Sequence, residues 1–255
     1  MKIVITGASG FLGNKISNKL NDLGHETIKV SRSNIEGFHQ CKDYLSIPKG
    51  DILIHLGESN DRNIINSKGR ESIDRSLRVI RDFKKNNYKK IIYASSAAVY
   101  GDNETYPRRE DENISFYDNY TELKLKSEKI LNYSENIILR LSNIYGPGMS
   151  EKNVISTILK QINNKEIKLN ALHPIRDFIW IDDAVDAFVK SIHSSSCGIF
   201  NVGSGLGTSI KDLLDLFLDI KGLKNLKVSP QTKMDSVSQI SLDITHIYNI
   251  MMWEP

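Results

Sequence analysis

Apolar and polar positions change period repeatedly along this chain. Residues 2–6, Lys-Ile-Val-Ile-Thr, form a short β-branched run that Gly7 closes, and from Phe11 to Leu23 apolar residues recur at helical spacing before a glycine stop at Gly24. Strand patterns follow at residues 27–30, 51–56, 90–95 and 136–141, with helical patterns over 71–86 and 119–133. Such alternation needs right-handed crossovers and a parallel sheet covered on both faces, so the pattern predicts an α/β, doubly wound fold. After Gly146-Pro147-Gly148 the rhythm changes to isolated helices near residues 154–163, 183–191 and 210–218, with a strand at 199–203. None of these pieces has an apolar run long enough to close a core by itself. The expectation is a nucleotide-binding domain over residues 1–145 plus about 177–203, and a small C-terminal substrate lobe over about 146–176 and 204–255. Ligands in such sheets bind beyond the carboxyl ends of the strands, so the lobe is expected to roof that edge.

Composition narrows this picture without redirecting it. With 40% hydrophobic and 25% charged residues among 255, the chain has the make-up of an ordinary packed protein. A formal net charge of +3, spread along the chain, gives no case for a nucleic-acid or membrane partner. The basic run Lys84-Lys85-Asn86-Asn87-Tyr88-Lys89-Lys90 reads as the solvated end of a helix, where cations complement the carbonyl dipole. Cys41 and Cys197 are too few and too far apart for a disulfide framework or a metal knuckle; both read as free thiols packed as small apolar groups. No metal is expected. No apolar run approaches a membrane span, and no leader pattern follows Met1, so a cytoplasmic protein is expected.

The first candidate chemistry lies in the turn Gly7-Ala8-Ser9-Gly10-Phe11-Leu12-Gly13. A glycine-rich turn between a first strand and a first helix lets backbone approach a pyrophosphate, which then rests on free amides at the positive end of the helix dipole. The spacing is not the dehydrogenase-type Gly-x-Gly-x-x-Gly, but its strand and helix context points to a dinucleotide. About twenty residues beyond the turn, where NAD enzymes place a carboxylate on the adenosine ribose, this chain reads Ser31-Arg32-Ser33. An Arg there can stack on adenine and pair with a 2′-phosphate, which favours NADP while leaving NAD open.

The second lies in Tyr120-Thr121-Glu122-Leu123-Lys124, where four-residue spacing places Tyr120 and Lys124 on one helix face. A cation beside a phenol favours proton release, which suits a general acid–base relay. A strand ending in Ser95-Ser96 delivers a hydroxyl to the same edge, with Ser95 facing the other way.

Together these segments resemble the extended short-chain dehydrogenase/reductase family, also described as the NAD-dependent epimerase/dehydratase family, whose members act on nucleotide sugars within a Rossmann fold. The motif-bearing segments are Thr6–Gly13, Ser95-Ser96-Ala97-Ala98-Val99-Tyr100-Gly101, the Tyr120/Lys124 pair, Leu139–Gly148, Arg176-Asp177-Phe178 and Asn201–Gly205. The resemblance implies that Ser96 holds the substrate oxygen, Tyr120 exchanges its proton, and Lys124 also binds the nicotinamide ribose. It further implies that Asp43 and Tyr44 flank the adenine, that Leu56 and Gly57 pass beneath the cofactor, and that Leu141 lines it. Asn143, Asn153, Val154 and Arg176 fall where family members hold the sugar nucleotide. Asp183 reads alternatively as a helix cap.

Departures from the family pattern trim the reaction. Ala97 and Ala98 stand where dehydratases carry an Asp and a Glu, and Ala97 and Gly148 stand where carbon-acid epimerases carry a Cys and a His. Glu58 occupies a position the family fills with Ala, and reads either as a substrate contact or as an exposed carboxylate. Lys233 lies near where an Arg often faces the second phosphate. The leading expectation is therefore NADPH-dependent reduction of a 4-keto nucleotide sugar. A 4-epimerase with bound NAD and a non-catalytic dinucleotide sensor stay open, and a homodimer is allowed but not dictated.

Overall fold

A computed structural model of the chain describes residues 1–133, 135–223, 226–232 and 238–255. Lys233 lies outside these described residues. The chain runs through β1 (Lys2–Thr6), α1 (Phe11–Asp22), β2 (Glu26–Ser31), β3 (His39–Gln40), β4 (Ile52–His55), α2 (Arg62–Lys85) and β5 (Lys90–Ser96), then a 3-10 turn over Ala97–Tyr100. It continues with α3 (Asn119–Leu131), β6 (Ile137–Leu141), β7 (Asn143–Tyr145), α4 (Val154–Gln161), β8 (Glu166–Leu169), β9 (Ile175–Trp180) and α5 (Ile181–His193). The remainder is β10 (Gly198–Val202), β11 (Gly207–Ser209), α6 (Ile210–Lys221), β12 (Lys227–Pro230), β13 (Gln239–Ile240) and α7 (Thr245–Met251).

Seven strands form one parallel sheet in the order β10-β6-β5-β4-β1-β2-β3. Its strands carry apolar residues on both faces because both are covered, as a doubly wound sheet requires. On one side Ile3, Ile5, Ile54 and Leu139 pack with Ile16 and Leu20 of α1 and Phe188 of α5; on the other Val4, Leu53 and Ile138 meet Ile80 and Phe83 of α2 and Leu131 of α3. The order reverses between β1 and β4, and this switch point opens the crevice in which ligands of such sheets bind.

The remaining strands build smaller sheets beyond the carboxyl edge. β9 pairs with β7, β11 and β13, and β8 pairs with β12. α4 and α6 enclose a separate apolar cluster around Ile158, Ile167 and Leu214.

Several local expectations need correction. α2 begins at Arg62, nine residues before the apolar repeat becomes legible, because Asp61 caps it through the Asn63 and Ile64 amides and Gly69 interrupts its regular dihedrals. Asp183 is no cap: α5 starts two residues earlier after Trp180, and the Asp183 carbonyl instead accepts from the Trp253 indole at 3.2 Å. Lys84 and Lys85 do close α2, but Lys90 belongs to β5 and is buried against the Ser191 and Ser194 carbonyls. Cys41 is buried as expected, whereas Cys197 is exposed in the turn before β10. Among the described residues no helix is long and apolar enough to cross a membrane.

Candidate active site

β1 ends at Thr6, and the chain reverses over Gly7 with φ +70 before entering α1. A Cβ on Gly13 would lie 2.3 Å from the Gly7 carbonyl oxygen and 2.9 Å from Ala8 Cα, so the first turn of α1 can press onto the loop only as glycine. The N-cap of α1 is Gly10, which offers no side-chain acceptor; α5 and α7 also start without a side-chain cap, whereas α2, α3, α4 and α6 are capped by Asp61, Asp118, Asn153 and Ser209. The leading amides of α1 are thus left for an external anion. That cradle of bare backbone, aimed over the switch point, fits a dinucleotide diphosphate.

The other functional side chains reach the same edge from neighbouring strands. A cleft of about 1110 Å³ runs along it, lined by every residue that the sequence assigned to catalysis, cofactor or substrate except Asp43. Its size lies at the upper end of the roughly 300–1,000 Å³ usual for a ligand pocket. Ser9, Ser31, Arg32, Ser33 and Tyr44 mark one end; Asn143, Asn153, Val154 and Arg176 mark the other. Asp43 instead faces an adjoining cavity of about 700 Å³, and its Oδ1 accepts from the Leu45 amide at 3.0 Å. Arg32 is exposed and stacks over the Tyr44 ring at 5.7 Å, while Ser31 Oγ lies 3.3 Å from Ser9 Oγ.

Three of the residues at the far end have part of their hydrogen bonding committed within the protein. Asn153 Oδ1 caps α4 through the Ser156 amide at 2.8 Å. The Arg176 guanidinium donates to the Ser238 carbonyl at 2.9 Å and hydroxyl at 2.8 Å, and approaches Asp102 at 3.3 Å. Asn143 donates to the Asp177 carbonyl at 3.2 Å, which joins β7 to β9. Lys152 beside Asn153 reaches across the mouth to Asp61, 3.0 Å away. Lys168, Asn170, Thr232 and Ser238 also line this end and were not singled out from sequence. Lys168 lies on the four-residue β8, and Asn170, Thr232 and Ser238 lie in the segments next to β8, β12 and β13, so no periodicity announces them.

α3 places Tyr120 and Lys124 on the cleft floor. Asp118 accepts from the Thr121 amide at 2.8 Å, and Thr121 Oγ1 accepts from the Asp118 amide at 3.2 Å; this reciprocal capping box starts the helix. From α2, Asn66 donates to Asp118 at 3.0 Å and accepts from the Tyr120 amide at 3.0 Å, and Arg62 pairs with Asp118. Burial pushes the Asp118 carboxyl up, but the Thr121 amide, Asn66 and Arg62 outweigh it and hold it at about 2. The stability carried by its charge is therefore present above the ordinary value of 3.8 and is lost only as pH falls through about 2. Asp118→Ala removes the cap and strands Arg62 and Asn66. It is expected to lower the unfolding free energy by about 2 kcal/mol in urea titrations, with Asp118→Asn losing visibly less because it keeps the cap.

Ser96 ends β5, and its Oγ accepts from the Ala98 amide at 3.2 Å, which leaves its own hydrogen free to donate into the cleft. Ser95 turns away and donates to Glu128, itself paired with Arg140 at 2.7 Å beneath the sheet edge. Lys124 Nζ lies 6.0 Å from the Tyr120 ring centroid and donates to the Ala94 carbonyl at 2.8 Å.

Glu58 lines the cleft but is not an exposed carboxylate, which corrects that reading of the sequence. Its side chain is 6% exposed, and Oε2 lies 2.8 Å from Lys124 Nζ, the lysine being 7% exposed. The Tyr93 hydroxyl donates to the same oxygen at 2.6 Å. Burial works against both charges, yet their mutual attraction wins: Glu58 is held below the usual carboxylate range and Lys124 above the usual ammonium range. Next to them His55 is fully buried, bonded to Thr6 at 2.6 Å and packed on Phe83; burial lowers it to about 4, so it is neutral at pH 7. The partners of Glu58 stand 35 and 66 residues away, and only the fold could reveal them.

Residues 3–203 match the model of the NAD dependent epimerase/dehydratase family. A UDP-glucose 4-epimerase of Mycolicibacterium smegmatis is 24% identical over 293 aligned positions, covering 100% of this chain and 94% of that protein. A dTDP-4-dehydro-6-deoxyglucose reductase of Escherichia coli is 26% identical over 294 positions, covering 99% and 92%. The crystal structure of a UDP-glucose 4-epimerase from Thermotoga maritima superposes with a TM-score of 0.87 at 24% identity, over 100% of this chain and 94% of that one. With a glycine cradle at the switch point, a large cleft beside it and most of its length matched, this chain belongs to the NAD dependent epimerase/dehydratase family of enzymes.

Proposed function

We propose that this enzyme is an NADPH-dependent reductase of a 4-keto nucleotide sugar. The observation that carries the reading is one cleft with Tyr120, Lys124 and Ser96 on its floor and Arg32, flanked by Ser31 and Ser33 rather than a carboxylate, at the end of β2. The amides at the start of α1 bind the cofactor diphosphate, and Arg32, exposed over the Tyr44 ring, takes the adenosine end with its 2′-phosphate. Lys124 keeps one of its three N–H donors for the nicotinamide ribose after meeting Glu58 and Ala94. When bound, the reduced dinucleotide supplies the hydride. Ser96 donates a hydrogen bond to the substrate carbonyl oxygen, and Tyr120 delivers the proton to it. Asn143, Asn153, Val154 and Arg176 hold the nucleotide diphosphate end of the substrate. Ala97 and Ala98 offer no proton-transferring group for dehydration.

The test is turnover. Incubated with NADPH and a panel of 4-keto nucleotide sugars, the protein is expected to consume the reduced-nicotinamide absorbance, and NADH is expected to serve less well. Arg32→Glu is expected to lower kcat/KM for NADPH by roughly 10–100-fold and to leave NADH nearly unchanged, the loss of a charge-assisted phosphate contact. Equal use of both cofactors by the parent would remove the NADPH assignment. The two relatives named as 4-epimerases keep the alternative specific: 4-epimer formation from an unoxidised nucleotide sugar, with no net NADPH consumption, would replace the reductase reading.

A further inference from the structure

Lys124 shares its buried chamber with one carboxylate that caps no helix and pairs with no other cation among the described residues. Glu58 Oε2 receives Lys124 Nζ at 2.8 Å and the Tyr93 hydroxyl at 2.6 Å, while Ser127 Oγ donates to Oε1 at 3.4 Å. Four other titratable or charged groups face this pair. On α3, Glu128 is engaged by Arg140; at the end of β4, His55 is neutral at pH 7; beyond β2, Arg32 stacks on Tyr44; on β5, Tyr93 is kept protonated by burial and by Glu58. Tyr120 is the remaining neighbour, on the same face of α3 as Lys124.

A lone ammonium beside a phenol stabilises the phenolate. An ammonium with a carboxylate 2.8 Å away acts on a third group as a dipole, and most of that stabilisation is cancelled. We propose that Glu58 is a positioning residue that pins Lys124 and offsets its charge, keeping Tyr120 in the proton-donating form and setting the site for reduction rather than oxidation. The proposal rests on the reductase reading. In that direction the Tyr120 O–H bond breaks and its proton goes to the substrate oxygen, while the carbonyl carbon gains the hydride of the reduced nicotinamide; the phenolate then regains a proton from solvent. Oxidation of a carbinol needs the phenolate at the outset, the form that Glu58 disfavours.

The experiment needs neither substrate nor dinucleotide. Protein labelled with ζ-¹³C tyrosine is titrated by NMR, Tyr120→Phe assigning the signal, in the parent, Glu58→Gln and Glu58→Asp. Phenolate is expected in Glu58→Gln at a pH lower by about one unit or more, with Glu58→Asp close to the parent. Tyr93→Phe keeps the ring and removes only the hydroxyl that spreads the Glu58 charge, so phenolate is expected at higher pH; this variant carries the test should Glu58→Gln not fold. Titrations of Glu58→Gln and Tyr93→Phe that coincide with the parent, or that move in the opposite directions, overturn the proposal. Absence of turnover on every 4-keto sugar sinks the reductase reading and leaves these titrations standing, so the two failures are separable.

Discussion

Tyr120→Phe is expected to lower kcat for ketone reduction by about 10²–10⁴-fold, the range over which a positioned proton donor contributes. The substitution removes one oxygen and nothing else. The ring is buried among Ile65, Ile73, Leu77 and Leu123, and those contacts survive in phenylalanine. Among the described residues the hydroxyl has no hydrogen-bond partner within the protein, so no buried group is left unsatisfied. The melting temperature and the dinucleotide dissociation constant are therefore expected to change little, which separates lost chemistry from lost structure. Stopped-flow turnover, thermal unfolding and dinucleotide titration on the same preparation check all three. Retention of full biological activity by this variant would hand the cleft to the dinucleotide-sensor reading, because a sensor has no use for the proton.

The parts of this molecule that were legible in its sequence are those whose cause is local. β1, the glycine turn and α1 follow one another within 22 residues, and the β-branched run, the glycine break and the helical repeat each speak for themselves. The Tyr120/Lys124 spacing is legible for the same reason, since a helix face is a property of adjacent residues. The first nine residues of α2 were not, because Arg62–Arg70 is mostly polar and is held in place by Asp61 and by contacts from Asn66 and Arg62 to Asp118, 52 and 56 residues on. β3 and β13 have two residues each and β7 and β11 three, too few for any period to register. Glu58 shows the limit most sharply. Its oddness just beyond an apolar strand is visible, but the exposed-carboxylate meaning fails, because Glu58 is buried and its charge is answered by Lys124 on α3.

Gly13→Ala is expected to weaken dinucleotide binding by about 100-fold or more, and to destabilise the fold by about 1–3 kcal/mol. The added methyl would meet the Gly7 carbonyl oxygen at 2.3 Å and backbone atoms of Gly7 and Ala8 at 2.9 Å. All three are main-chain atoms, so no rotamer change relieves the contact and the turn itself must open. Opening it lifts Gly7 away from Leu56, where the two strands flanking the switch point almost touch: a Cβ on Gly7 would come 2.7 Å from the Leu56 carbonyl oxygen. The amides at the start of α1 then lose their common aim, and a diphosphate that several N–H groups had shared is held by fewer. Gly24→Ala is the control. Gly24 ends the same helix with φ +78 and has nothing within 4 Å of an added Cβ. Its substitution costs about 1–2 kcal/mol of backbone strain and is expected to leave dinucleotide affinity unchanged. Calorimetric titration of NADPH into both variants, with urea unfolding alongside, distinguishes a turn built to receive a diphosphate from one that only closes the fold: equal affinity losses in the two would point to general loosening rather than to the cradle.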